Sequence, residues 1–209
     1  MKKHVLFFFT VLFSVTLLKA QNLQESFEGD EFPPEGWEQT GSGFIQGNSN
    51  YSAYEGTGYA YISSGQDTLI TPKLTIDDGD FFSLQANSGS GSLQVLISDD
   101  KISWTVLQDL VMSYGYQNYT IPLGAEEAGY KYIALAADAG SYYSVYCDSI
   151  NGPSIYMPPL DAGINSIDQP KGTTSTGNKD VSETLKNYGS DNLTSVDIVR
   201  SVDGVAKST

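Results

Sequence analysis

The ionisable side chains of this sequence are almost all carboxylates. Aspartate and glutamate number 25 against 11 lysines and arginines, with one histidine, His4, and one cysteine, Cys147. His4 lies in the extreme N-terminal segment, so a chain trimmed after residue 20 has no histidine at all. A Ser-His-Asp triad, a Cys-His pair and the usual His/Cys zinc sites are then impossible. A single cysteine forms no internal disulfide, and Cys147, set in an apolar run, reads as a small buried strand residue. Carboxylate chemistry remains. It offers oxygen ligation of calcium, which takes about six to eight oxygens from carboxylates, carbonyls and water. It also offers glycosidic cleavage by two acids facing each other across a cleft.

Asp148 has the most informative setting. In SVYCDSI, strand alternation would place Tyr146, Asp148 and Ile150 on one face and Val145, Cys147 and Ser149 on the other. Apolar residues occur on both faces, so a central strand with a partly buried Asp148 is expected. A buried carboxylate must be paired or bound to metal, and basic partners are scarce. Glu28, expected to end the first strand, is the natural second carboxylate from the opposite terminus. Asp30 and the GNSNYSAYEG loop, through Asn48, Asn50 and Glu55, would complete the shell. The candidate ligands of a structural calcium are thus Glu28, Asp148, Asp30, Asn50 and Glu55. The competing reading has Asp148 hydrogen-bonded to nearby amides and Glu28 solvated.

The elements that must position these residues read as strands. SLQVLIS (Ser92–Ser98) alternates with Leu93, Val95 and Ile97 on one face. Similar patterns occur at Gly58–Ser63, Thr68–Ile76, Phe81–Ala86, Thr105–Met112, Asn118–Leu123, Lys131–Ala137 and Tyr143–Ile150, separated by Gly, Asp, Asn and Ser. Ala125–Ala128 is expected to make a short helix. Short strands at this spacing specify an all-β, antiparallel jelly-roll sandwich. Pro72 and Pro122 fall in otherwise strong strands and mark edges or bends. Pro33-Pro34 would fix the turn leaving strand one, with Trp37 packed across the sandwich. Trp104, after a hairpin turn, is likewise expected in the core.

Residues 1–20 read as a secretory signal peptide, with Lys2, Lys3 and His4 before the 14-residue apolar run Val5–Leu18. The run is shorter than the roughly 20 residues that span a bilayer. Its removal takes three of the 11 basic residues and leaves eight against 25 acids, a net charge of −17. Such a surface repels nucleic acid and anionic membrane and favours cations and polar or neutral ligands. Fourteen tyrosines are present, many in expected loops, and Tyr114, Tyr142 and Tyr143 are candidates for a ligand surface. Pro158-Pro159 makes a stiff connector over 157–160. Beyond it, residues 161–209 offer strands at Asp161–Ile167, Lys179–Asn187 and Thr194–Val202. This is about half of what an immunoglobulin-like domain needs, so further domains are expected beyond residue 209.

The ordered set ESFEGDEFPPEGWE, YEGTGYAYISS, DTLITPKLTIDDGD, LQVLISDDKISWTVL, YTIPLG, YKYIALAA and VYCDSINGPSI resembles the cleaved-adhesin, or choice-of-anchor J, family across residues 22–156. These domains are relatives of MAM-type jelly rolls. LDAGINSIDQP and LKNYGSDNLTSVDIVRSVDG are similar to the start of a CARDB-type immunoglobulin-like domain. The first resemblance implies a calcium site joining the two ends of the domain. It also implies a non-catalytic, secreted or cell-surface module that binds a glycan or a host or matrix protein. A structural spacer presenting another domain is the alternative, and a carboxylate glycoside hydrolase is a third reading.

Overall fold

The computed structural model describes residues 21–140, 144–169, 172, 181–202 and 205–207. The chain divides into two compact units, Ala20–Tyr156 and Met157–Thr209, with Met1–Lys19 outside the described residues. The first unit begins with β1 (Asn22–Glu25), β2 (Glu38–Gln39), β3 (Phe44–Asn48) and β4 (Gly58–Ile62). Then come β5 (Gly65–Ile70), β6 (Leu74–Ile76), β7 (Phe81–Ser88) and β8 (Ser92–Ser98). β9 (Thr105–Leu110), β10 (Gln117–Pro122), β11 (Gly129–Gly140) and β12 (Val145–Ile155) complete it.

These strands form two facing antiparallel layers of a jelly-roll sandwich. In the first sheet β12 is central, with β7 and then β10 on one side and β4, β3 and β1 on the other. In the second, β11 is central between β5 and β8, which carry β2 and β9 at the edges. β6 joins the layers by pairing with both β11 and β12. Pro72 stands where the chain leaves β5 in the second sheet for β6, and Pro122 closes the edge strand β10. Both fit a residue that donates no ladder hydrogen bond.

Period-2 alternation builds the core. Phe82, Leu84 and Ala86 of β7 and Leu93, Val95 and Ile97 of β8 point inward, while Ser83, Gln85 and Asn87 point outward. Each large buried aliphatic or Phe side chain stabilises the fold by about 2 kcal/mol relative to exposure. Trp37 is buried and meets Phe27 edge-on at 6.1 Å, and its backbone N–H donates to the Pro34 carbonyl at 2.9 Å. Trp104 does not join the core. It is half-buried on the hairpin between β8 and β9, its indole N–H donating to the Lys101 carbonyl at 3.2 Å. Ala125–Ala128 is a single turn, not a helix: the Glu127 N–H donates to the Gly124 carbonyl at 3.1 Å, the Glu127 carboxylate accepts the Gly124 N–H at 2.8 Å, and the chain enters β11 at Gly129.

In the second unit β13 (Ala162–Gln169) pairs with β14 (Ser182–Asn187), and β15 (Arg200–Val202) pairs with β16 (Val205–Lys207). Residues Thr194–Val199, expected to be strand, have no ladder partner among the described residues, and only the end of the expected segment is extended, in β15.

Candidate functional site

The two ends of the first unit lie side by side. β1 pairs antiparallel with the C-terminal part of β12, and the Ile155 N–H donates to the Gln21 carbonyl at 2.8 Å. Glu25, the last residue of β1, faces Ile150 across the ladder. Glu28 is not the end of a strand. It stands three residues further on, in the turn that follows Phe27, whose φ is 57°. On β12, Asp148 is followed by Ser149 at φ 46°, and the register with β7 shifts there. This bulge breaks the expected alternation: Ile150 returns to the core beside Cys147, while Tyr146 and Asp148 stay on the outer face. Strained backbone of this kind persists where surrounding structure over-determines it.

The loop between β3 and β4 binds both acids. Asp148 is fully buried. Its Oδ2 accepts the Tyr54 and Glu55 N–H groups at 2.8 and 3.1 Å, and its Oδ1 accepts the Ser149 N–H at 2.6 Å. Glu28 Oε1 accepts the Thr57 and Gly58 N–H groups at 2.9 and 2.7 Å. Gly58 is obligatory there, because a Cβ would collide with the Phe27 carbonyl. The Ser149 hydroxyl donates to Glu55 Oε2 at 3.1 Å, and Glu25 Oε1 accepts the Phe27 N–H at 2.6 Å. Nearby, the carbonyls of Phe27 and Gly29 converge on Gln46 Nε2, each at 2.6 Å.

The acids differ in electrostatics. Burial pushes Asp148 above the usual carboxylate range against the pull of its three amide donors, and the charge of Glu28 adds to the rise. Glu25 is raised by burial and by Asp148. Glu28 is held low by the Gly58 and Thr57 N–H groups. Burial pushes the Cys147 thiol up to about 12, which leaves it inert.

Glu28, Glu55 and Asp148 are thus tied to one loop, and Glu25, not anticipated from the sequence, joins them. Asp30, Asn48 and Asn50 are exposed and bond to none of these acids. Among the described residues no three acidic, histidine or cysteine side chains gather closely enough to hold an ion by themselves. Tyr114 is exposed at the end of the β9–β10 connection, and Tyr142 and Tyr143 lie outside the described residues.

A second feature shares the outer face of the first sheet. Tyr59 and Tyr61 of β4 and Tyr146 of β12 lie with ring centroids 5.6–5.8 Å apart, and the Tyr61 and Tyr146 rings are nearly parallel at 17°. Tyr54 meets Tyr116 at 5.6 Å, and the Tyr116 hydroxyl donates to the Ser52 carbonyl at 2.9 Å. The loop that grips Asp148 is therefore also braced against the tyrosines.

Solved structures share this fold. The K1 cleaved adhesin domain of Lys-gingipain from Porphyromonas gingivalis W83 is similar over 63% of this chain and 97% of its own, at 21% identity and a TM-score of 0.52. The K3 cleaved adhesin domain of the same protein is similar over 64% and 100%, at 17% identity and 0.51. TmCBM61, solved with β-1,4-galactotriose, is similar over 68% and 99%, at 17% identity and 0.50. No family model matches the chain, and no curated protein sequence matches it. At these identities the likeness defines the architecture alone: an all-β jelly roll of the cleaved-adhesin and carbohydrate-binding-module type.

Proposed function

We propose that this chain is a non-catalytic, secreted or cell-surface binding module of the adhesin type whose ligand is a glycan. The observation that carries the reading is the gathering of Tyr59, Tyr61 and Tyr146 on one sheet face. A β-sandwich needs no such cluster on its outer face for stability, whereas amphipathic aromatics suit recognition. The neighbours named above, adhesin domains and a module solved with a galactotriose, agree with that role. Residues 1–20 act as the secretion signal in this reading, and the second unit is CARDB-like.

Catalysis is disfavoured because Asp148, the acid of the tyrosine face, is sealed beneath the β3–β4 loop and touches no substrate placed there. A spacer is disfavoured because the first unit starts and ends at adjacent strands, which adds little reach along a chain.

Calcium completes the proposal as a structural ion. The fit rests on donor chemistry. Glu25, Glu28 and Asp148 have no lysine or arginine paired to them among the described residues, and the ligands on offer are oxygens. Glu28 and Asp148 would hold the ion, with Glu25, Glu55 and backbone carbonyls nearby. It would offset their mutual repulsion and fix the β3–β4 loop.

Glycan and matrix-protein arrays probed with the full chain test the binding role. Retention of a glycan that is abolished in Tyr146→Ala supports the reading. Retention of a matrix protein alone would replace glycan with protein as ligand, and no retention on either array would sink the module reading.

A further inference from the structure

We infer that the tyrosine face takes an uncharged polysaccharide chain, lying across β3, β4, β12 and β7, and rejects acidic ones. This rests on the binding-module reading and adds the ligand class and the residues that select it.

The register places the residues. Ile45 of β3 stands opposite Tyr61 of β4, Tyr61 opposite Tyr146 of β12, and Tyr146 opposite Asn87 of β7. One row thus runs across four strands, apolar at one end, aromatic in the middle and amide at the other. The adjacent row runs from Asp148 to Gln85 of β7 and Asn118 of β10. Strands about 4.8 Å apart make four of them roughly 14 Å wide, room for a short run of sugar rings.

The chemistry of the rows suits neutral sugars. Tyr61 and Tyr146 are half-buried, and their hydroxyls have no hydrogen-bond partner among the described residues. Each offers aromatic carbon to the C–H face of a pyranose and an O–H to its hydroxyls. Gln85 and Asn118 meet only at a long 3.4 Å, which leaves amide donors and acceptors to spare. Tyr59 fixes the base of the platform. It is buried over Gly47, where a Cβ would strike its ring, so the glycine lets the aromatic lie down on the sheet.

Charge decides the class. No lysine or arginine occurs on β1, β3, β4, β7, β10 or β12. The only basic residues from Gln21 to Tyr156 are Lys73, Lys101 and Lys131. They cluster elsewhere, around Tyr132 of β11: Lys73 and Lys101 lie over its ring at 5.6 and 4.9 Å. Lys101 and Lys131 are further paired with Glu38 and Asp99, each at 2.8 Å. A uronate or sulfated chain on the tyrosine face would find no lysine or arginine on these strands to pair with.

The test is affinity electrophoresis of the full chain through gels containing galactan, xylan, mannan or mixed-linkage glucan, and in parallel polygalacturonate or chondroitin sulfate. Tyr146→Ala, Gln85→Ala and Lys73→Ala are run beside wild type, with thermal melts to confirm folding. Gln85 lies on the surface, so its variant keeps the test open if Tyr146→Ala fails to fold. The expected result is retardation by at least one neutral polysaccharide. Tyr146→Ala should weaken it tenfold or more and Gln85→Ala about threefold, with Lys73→Ala and added salt without effect. Salt-sensitive retardation by an acidic polysaccharide, lost in Lys73→Ala, would overturn the inference and leave the binding-module reading standing. Neutral binding untouched by both Tyr146→Ala and Gln85→Ala would overturn the site assignment. Retardation by no polysaccharide would overturn the inference, and the arrays would then decide the wider reading.

Discussion

Asp67 and Asp148 are both buried aspartates, on strands of different sheets, and both accept several backbone N–H groups. Their electrostatics are opposite. Asp67 accepts the N–H groups of Gly41, Gly43, Phe44 and Thr68 at 2.7–3.1 Å and the Thr40 hydroxyl at 3.0 Å. Burial pushes it up, but these donors together hold it below the usual range. Asp148 has three donors, lies deeper and has Glu28 and Glu25 as charged neighbours, so burial wins. Burial alone does not make a functional acid. What separates the structural peg at Asp67 from the cation site proposed at Asp148 is whether amide donors outweigh burial and like charge.

The sharpest way to break the comparison is to neutralise each acid isosterically. Asp67→Asn puts an amide donor against N–H donors on the β2–β3 connection. The expected loss is about 2–4 kcal/mol by urea unfolding, unchanged by calcium, at roughly 1–3 kcal/mol per unsatisfied buried group. Next in size is calcium itself. Extracellular sites bind at about 0.1–1 mM, so 10 mM calcium against chelator should stabilise by about 1.5–3 kcal/mol. The melting temperature should rise by roughly 5–10 °C. Asp148→Asn should abolish that rise; a rise retained in the variant would remove Asp148 from the site.

In chelator Asp148→Asn should cost within about 1 kcal/mol of nothing, because the lost hydrogen bonding is offset by relief of repulsion with Glu28 and Glu25. A loss as large as that of Asp67→Asn would mean the two acids do the same job. The smallest effect is on the pH profile. Asp148 and Glu25 are raised on folding. Their contribution is therefore full below the ordinary carboxylate pKa and is lost as pH rises through their folded values. Asp67 is lowered, so its contribution is present at neutral pH and is lost as pH falls through its folded value. Chelated wild type, compared by urea unfolding at about pH 5 and pH 7, should show a decline from Asp148 that the Asp148→Asn variant flattens. An unchanged slope would place the raised affinity for protons elsewhere.

Asp148 was legible because an acid between Cys147 and Ile150 in an apolar strand has few acceptable settings. Its geometry was not, since the Ser149 bulge overrides the period-2 rule by which it was read. Asp67 gives no local sign: three of its partners are backbone amides 23 to 26 residues upstream, and backbone groups leave no mark in a sequence. Nothing in ESFEGDEF separates Glu25 from its exposed acidic neighbours until β1 pairs with β12. Among the tyrosines, Tyr114 stands out in the sequence by its loop setting, while Tyr61 and Tyr146, 85 residues apart, have the pattern of ordinary strand residues.

By itself, then, the sequence determined the class of structure and the range of chemistry. Alternating apolar residues every second position require sheets with one buried face, and a sequence with 25 acids against one histidine, His4, and one cysteine, Cys147, offers mainly oxygen ligands. Only the tertiary structure decided which acids are sealed from water and which tyrosines share a surface. Those properties depend on strand register and on loop amides brought in from distant segments, and a shift of one residue in pairing would send Tyr61 or Tyr146 to the opposite face.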